Sequence, residues 1–160
     1  MHPNLTSQRT ITLVAASAID AEQLVALRID AMRESLERIG RFDPDRARQR
    51  FLDSFAPQWT RHIELNSTRV GFVVVKPDGD GLLLDHLYVQ NGLQDQGIGS
   101  TVLLQVFAEA DALALAIRVG ALLGSDSNQF YRRHGFELIE RGEFDNYYVR
   151  PSPRRCEPID

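Results

Sequence analysis

The stretch that most constrains this chain is LLLDHLYVQNGLQDQGIGSTVLLQVF, residues 82–107. Residues 82–89 form an apolar run with strand character, and 90–96 are polar and loop-like. Gly97, Ile98 and Gly99 then lead into a helix whose apolar positions Val102, Leu103, Val106 and Phe107 recur at helical spacing. A strand, a glycine turn and a helix start make a ready anion site. The first N–H groups of a helix have no internal partner, and the helix dipole adds partial positive charge there. Glycines at 97 and 99 remove the Cβ atoms that would hold a phosphate away. The ligand this pattern predicts is a phosphorylated cofactor.

Two common phosphate loops are excluded. A Walker loop needs Lys and then Ser or Thr after its second glycine, and no lysine stands here. A dinucleotide fingerprint needs a third glycine where this chain has Val102. What remains is Gln94-x-x-Gly97-x-Gly99, directly after LYV. By itself it would also suit a plain turn between a strand and a helix. A second motif follows further on: Phe130-Tyr131-Arg132-Arg133-His134-Gly135-Phe136. The first motif resembles the acetyl-CoA loop of the GNAT superfamily of acyl-CoA N-acyltransferases, Gln/Arg-x-x-Gly-x-Gly/Ala. The second resembles that superfamily's Phe-Tyr-x-x-x-Gly-Phe signature. With the element order, the resemblance covers most of residues 10–150 and points to the superfamily as a whole.

The resemblance implies an α/β fold: a mixed, mostly antiparallel central sheet with a splayed parallel pair and helices on both faces. It implies acetyl-CoA as cosubstrate, its pantetheine arm lying between the two parallel strands. Backbone groups of Leu87, Tyr88 and Val89 would then bind the pantetheine amides. The pyrophosphate would sit on Gln94, Asp95, Gln96, Gly97, Ile98, Gly99 and Ser100, with the Asp95 side chain turned to solvent. Tyr131 takes the family's position for donating to the departing thiolate. Asp85, before Val89, stands where some members carry an acidic residue. It is the candidate base, acting through water or with its pKa raised by burial; it could equally bond backbone or His86. Many members have an asparagine where this chain has Gly124, so Ser127 and Asn128 become the candidate substitutes.

The remaining elements are read from local pattern. Residues 11–14 read as a strand. Asp20 is placed to cap a helix, with Ile19 and Leu24 as a hydrophobic staple and Leu24, Leu27, Ala31, Met32 and Leu36 as its inward stripe. Gly40 is placed to end it. Asp43-Pro44 starts a second helix with Phe51, Leu52 and Phe55 inward, stopped at Pro57. Strands at 62–65 and 70–76 precede a hairpin loop at 77–81. After the helix at 98–112 come a strand at 115–122, a short helix capped by Ser125 or Asp126 and ended at Gly135, and strands at 136–140 and 146–150. The length suits one domain, which the resemblance makes an acyltransferase domain over residues 1–160, with 1–9 and 151–160 expected to be loose termini.

Composition narrows the partners. The formal net charge is −4, so attraction by the whole molecule does not recruit a polyanionic cofactor and a basic nucleic-acid surface is disfavoured. No apolar run reaches the ~20 residues that span a bilayer, and the first residues lack the apolar core of a signal peptide. One cysteine, Cys156, allows no internal disulfide, which makes a reducing cytoplasm the default. His62, His86 and His134 lack metal-ligand spacing, so no metal is expected. The expected function is acetyl transfer from acetyl-CoA to a primary amine, on a small molecule or a peptide. The competing function is a catalytically inactive acyl-CoA-binding sensor or interaction module. Arg28, Met32, Arg33, Ser35, Phe42, Tyr147 and Tyr148 are in range of the acceptor, and the DNYYV strand or a sheet edge offers a homodimer contact.

Overall fold

The computed structural model describes residues 9–153. The termini expected to be loose lie outside the described residues, apart from Arg9 and residues 151–153. The elements run in the order β1 (Ile11–Ala15), α1 (Ala21–Arg38), α2 (Pro44–Ser54), β2 (Thr60–Leu65), β3 (Thr68–Asp78), β4 (Gly81–Val89), α3 (Ile98–Ala112), β5 (Ile117–Leu122), α4 (Ser127–Arg133), β6 (Glu137–Arg141) and β7 (Asp145–Arg150). The sheet order is β1-β2-β3-β4-β5-β7-β6. β4 and β5 are parallel, whereas β1–β2, β2–β3, β5–β7 and β6–β7 are antiparallel. This is the mixed, mostly antiparallel sheet expected. β7, which carries DNYYV, lies between β5 and β6, so the edges are β1 and β6. The chain forms two compact units, the first running to Val74 and including His86–Val102, the second holding Val75–Asp85 and the chain from Leu103 onward. β3, β4 and α3 each begin in one unit and end in the other.

In the first unit, α1 and α2 bury an apolar face against β3. Leu24, Val25, Phe51, Phe72 and Val74 form the cluster, and Leu27, Ile29, Leu52, Phe55 and Tyr88 pack on it. The helix ends follow their local chemistry. Gly40 has φ +69°, Gly40 N–H donates to Glu37 O, and Arg41 N–H donates to Leu36 O at 2.8 Å. That pair of bonds is the left-handed close expected of this glycine. Asp43 Oδ1 accepts from Arg46 N–H at 3.1 Å, with Pro44 in the first turn of α2.

The start of α1 departs from expectation. Ile19 is 92% exposed, so it makes no staple with Leu24. The Asp20 carboxylate does not cap α1. Instead it accepts from Ser17 N–H at 2.9 Å and from Arg69 Nη1 at 3.3 Å, and it lies 2.9 Å from His62 Nε2. His62 is 1% exposed, and a buried imidazole needs a partner more than an exposed helix end does. The His62 hydrogen bond, aided by the Ser17 amide and opposed by burial, holds the Asp20 carboxyl well below the ordinary carboxylate range.

In the second unit, β5 alternates between buried and exposed positions. Ile117, Val119 and Ala121 are buried, while Arg118 and Gly120 are exposed. Leu103, Val106, Ala110, Phe136 and Tyr148 of the same unit are buried as well. β5 begins at Ile117 rather than at 115, because residues before it close α3. Ala114 takes φ +56°, and Leu115 N–H donates to Ala110 O at 2.9 Å. An alanine in the left-handed region gives no sequence signal of a helix end. The hairpin between β3 and β4 is also tighter than expected: β3 runs to Asp78, β4 starts at Gly81, and Gly79 turns at φ +60°.

Candidate functional site

In the first unit the glycine bend follows β4 directly. α3 starts at Ile98, and its first turn bond runs from Thr101 N–H to Gly97 O at 3.0 Å. Among the described residues no protein acceptor takes the N–H groups of Gly97, Ile98 or Gly99. Gly97 has φ +82° and Asp95 φ +63°, so the chain turns sharply into the helix. The side chains here act as braces. Gln94 Nε2 donates to Val89 O at 3.0 Å, and Gln96 Nε2 donates to Gly92 O at 3.2 Å. Arg9 donates to both oxygens of Gln96, through Nη1 to the carbonyl at 2.8 Å and through Nη2 to Oε1 at 3.2 Å. Gln94, read as part of the anion loop, thus closes that loop onto the end of β4. The Asp95 side chain belongs to an exposed residue, as expected.

The end of β4 is pinned from the β3 side. Gln90 N–H donates to Val70 O at 2.8 Å. Gly71 is required there, because a Cβ at that position would collide with the Tyr88 carbonyl oxygen. Side chains of β4 in this unit enter the aromatic core. His86 lies 5.5 Å from the Phe51 ring, 6.0 Å from Phe72 and 5.7 Å from Tyr88. The Tyr88 hydroxyl donates to Met32 Sδ at 3.1 Å. His86 is therefore a packed aromatic of the first unit.

In the second unit Tyr131 sits in α4 and is 6% exposed. Its ring meets Phe130 edge-on at 5.4 Å and Phe136 edge-on at 5.4 Å. Gly135, at φ +90°, lets Phe136 N–H return to Tyr131 O at 3.1 Å. The second motif is thus a helix end closed on itself, in which two aromatic rings and a left-handed glycine set the direction of the Tyr131 ring. His134 is half-buried, with Nδ1 2.7 Å from Phe130 O.

Asn128 holds this helix to the strands. Its Nδ2 donates to Leu122 O and Ser125 O, both at 2.9 Å. Its Oδ1 accepts from Asn146 Nδ2 at 2.9 Å and from the Tyr148 hydroxyl at 2.7 Å. The amide is committed to protein on both ends. Ser127 is exposed at the first position of α4, and Gly124 turns at φ +79°.

Asp85 is paired in the second unit. Its Oδ2 lies 3.1 Å from Lys76 Nζ, and the two side chains are 29% and 32% exposed. Sequence reading missed this pair. The signal was available, since Lys76 is the only lysine in the chain and lies on the strand preceding Asp85 in the hairpin. Of the acceptor candidates, Tyr148 is fully buried with its hydroxyl on Asn128, and Met32 is occupied by Tyr88. Arg33 stacks 4.5 Å above the Phe42 ring. Arg28 Nη1 donates to Ala47 O at 3.3 Å, and its Nε is buried without a partner. Tyr147 is 41% exposed. Among the described residues no group of three or more His, Cys, Asp or Glu could hold a metal. No described helix is long and apolar enough to cross a membrane.

Comparison with known proteins adds a family and a fold. The family model described as acetyltransferase (GNAT) domain matches residues 59–138. The PaiA N-acetyltransferase of Thermoplasma acidophilum, solved in complex with coenzyme A, is similar in structure with TM-score 0.74 at 16% identity, over 89% of this chain and 99% of that one. An acetyltransferase from Thermus thermophilus is similar with TM-score 0.69 at 18% identity, over 89% and 97%. The ribosomal-protein-S18-alanine N-acetyltransferase of Escherichia coli is similar with TM-score 0.66 at 15% identity, over 96% and 99%. No curated protein matches by sequence.

Proposed function

Because the chain belongs to the GNAT acetyltransferase family, we propose that it transfers an acetyl group from acetyl-CoA to a primary amine by direct attack. The observation that carries this reading is the set of unengaged N–H groups at Gly97, Ile98 and Gly99, facing out of a helix start just after β4. Such groups suit a diphosphate. The similar T. acidophilum protein was solved with coenzyme A, which supports the same cosubstrate here. Both compact units would act as one acyltransferase domain. The unit boundaries fall inside β3, β4 and α3 and not in linkers, which supports that.

The chemistry is aminolysis of a thioester. An alkylamine has a pKa of about 10.4, so at pH 7 only one molecule in about two thousand is the free nucleophile. Asp85 is the group we assign to accept the ammonium proton, through water, while the Lys76 ammonium holds its carboxylate in place. The amine nitrogen then attacks the acetyl carbonyl, and backbone N–H groups stabilise the oxyanion. As the C–S bond breaks, the electron pair leaves on sulfur. A thiol pKa near ~8.5 and a phenol pKa of about 10 are close enough for Tyr131 to donate to that thiolate, and the second proton, lost from nitrogen as the amide forms, returns through water to the Tyr131 phenolate. The acceptor is a small amine or a peptide N-terminus. The S18-alanine N-acetyltransferase among the similar structures supports including peptides.

One observation favours a second reading, an acyl-CoA-binding module without turnover. Gly124 replaces the family's asparagine, and the Asn128 amide is held entirely by protein. A panel of small amines and N-terminal peptides, mixed with protein and acetyl-CoA and read by thiol release, separates the two. Release above the amine-free rate supports the transferase. CoA binding with no release across the panel supports the module. Absence of CoA binding sinks both.

A further inference from the structure

The proposed function uses the glycine bend but leaves its bond to Arg9 unexplained. The guanidinium puts two donors on one residue, taking the Gln96 carbonyl at 2.8 Å and the Gln96 side-chain oxygen at 3.2 Å. The Gln96 carbonyl shares a planar peptide unit with the Gly97 N–H, so fixing the oxygen fixes the direction of that N–H. Arg9 is itself held at its base. Thr10 N–H donates to Asn66 Oδ1 and Asn66 N–H donates to Thr10 O, each at 2.9 Å. Gln96 is held from its other end by the bond to Gly92 O. The planar guanidinium fork is preorganised, so two hydrogen bonds to one residue cost less rotamer freedom per bond than a flexible cation would pay.

Charge points the same way. Residues 90–99 carry one charged side chain, Asp95, and it is negative. A diphosphate bound at the bend therefore meets no positive side chain from the loop itself. Arg9 brings a permanent cation to the loop from outside it. We infer that Arg9 is a positioning residue for the cofactor diphosphate. It presets the Gln96–Gly97 peptide so that the Gly97 N–H already points at the anion, and it offsets the Asp95 charge. The inference rests on the acyl-CoA reading above. It concerns the polyphosphate end of the cofactor and leaves the acyl-transfer chemistry untouched.

The test compares wild type, Arg9→Gln and Arg9→Lys, using calorimetric Kd for CoA and steady-state rates with two thioesters. Acetyl-CoA carries the diphosphate and S-acetylpantetheine does not. Loss of one charge-assisted clamp predicts a Kd for CoA about tenfold weaker in Arg9→Gln. KM for acetyl-CoA should rise by a similar factor with kcat unchanged, and kcat/KM for S-acetylpantetheine should stay at the wild-type value. Arg9→Lys keeps the charge without the fork and should recover only part of the affinity. Full recovery by lysine would overturn the positioning role. So would an Arg9→Gln Kd within twofold of wild type, or an equal loss with both thioesters. If wild type itself binds no CoA, the underlying reading fails first, and that result is distinct from all of these.

Discussion

The glycine bend at 90–99 and the aromatic motif at 130–136 are built from opposite materials for the roles we propose. In the bend, the groups we propose for the ligand are backbone N–H groups, and the side chains of Gln94 and Gln96 brace the loop. In the motif, the backbone is the brace. Phe136 N–H closes on Tyr131 O, Gly135 turns at φ +90°, and the group we propose to react is one side chain held between two rings. The difference teaches which substitutions each region tolerates. A backbone site resists changes of φ or of Cβ and accepts changes of side-chain chemistry. A side-chain site does the reverse.

The sharpest test of that contrast removes one oxygen atom. Tyr131→Phe keeps both edge-on ring contacts and the helix end, so affinity for CoA should stay within about twofold. Loss of the proton donor should lower kcat about a hundredfold. Stopped thiol release alongside calorimetry reads both. An unchanged kcat across several pH values would remove Tyr131 from the chemistry and make the second motif purely structural, erasing the contrast.

Asn128→Ala tests whether the motif's brace extends beyond its own helix. The substitution takes the acceptor from Asn146 Nδ2 and the Tyr148 hydroxyl, while Leu122 O and Ser125 O keep the backbone N–H groups of Ser125 and Asn128. Leaving buried polar groups unpaired should cost about 2 kcal/mol or more of stability. Urea unfolding measures it. A cost under about 0.5 kcal/mol, within the range of ordinary surface changes, would mean water replaces the amide freely.

Gly97→Ala tests the bend. No atom crowds a Cβ there, so the penalty comes from φ +82° alone. An L-residue held in that region costs about 1–2 kcal/mol. If the loop relaxes to relieve it, the amides lose their aim and CoA binding weakens about tenfold, with kcat at saturation unchanged. Equal binding would show that the turn tolerates a side chain and that the N–H directions are set elsewhere.

What could be read in the chain divides along the same line. The bend, the motif, the Gly40 helix end and the Asp43 cap are legible because each is a local pattern, completed within a few residues. The parallel β4–β5 pair followed from strand, helix and strand in succession. The misses are contacts whose partners lie on another element. Asp20 looked like a helix cap and turned instead to His62 and Arg69. Asp85 met Lys76 across a hairpin, and Gln96 met Arg9. Ala114 failed for another reason: an alanine holds the left-handed turn where glycine is the usual signal.

The smallest expected effect carries the comparison to how each region's unit holds charge. Each contains a carboxylate kept below its ordinary range. Asp20, 12% exposed, is held by His62 first and then by the Ser17 amide, with Arg69 adding to it. Asp111, 36% exposed, is held by the Arg150 fork at 2.8 and 3.1 Å. A carboxylate whose folded pKa lies under its unfolded value of about 3.9 adds stability above that pH and loses it as pH falls toward the folded pKa. The stability gap between wild type and Asp20→Asn should therefore be full at about pH 6 and narrow steadily below about pH 4. Asp111→Asn should show the same sign with a smaller gap at every pH, because solvent screens the more exposed pair. Urea unfolding at a series of pH values reads both curves. A larger gap for Asp111→Asn would mean that the Arg150 fork outweighs burial, and that the second unit, not the first, depends more on charge.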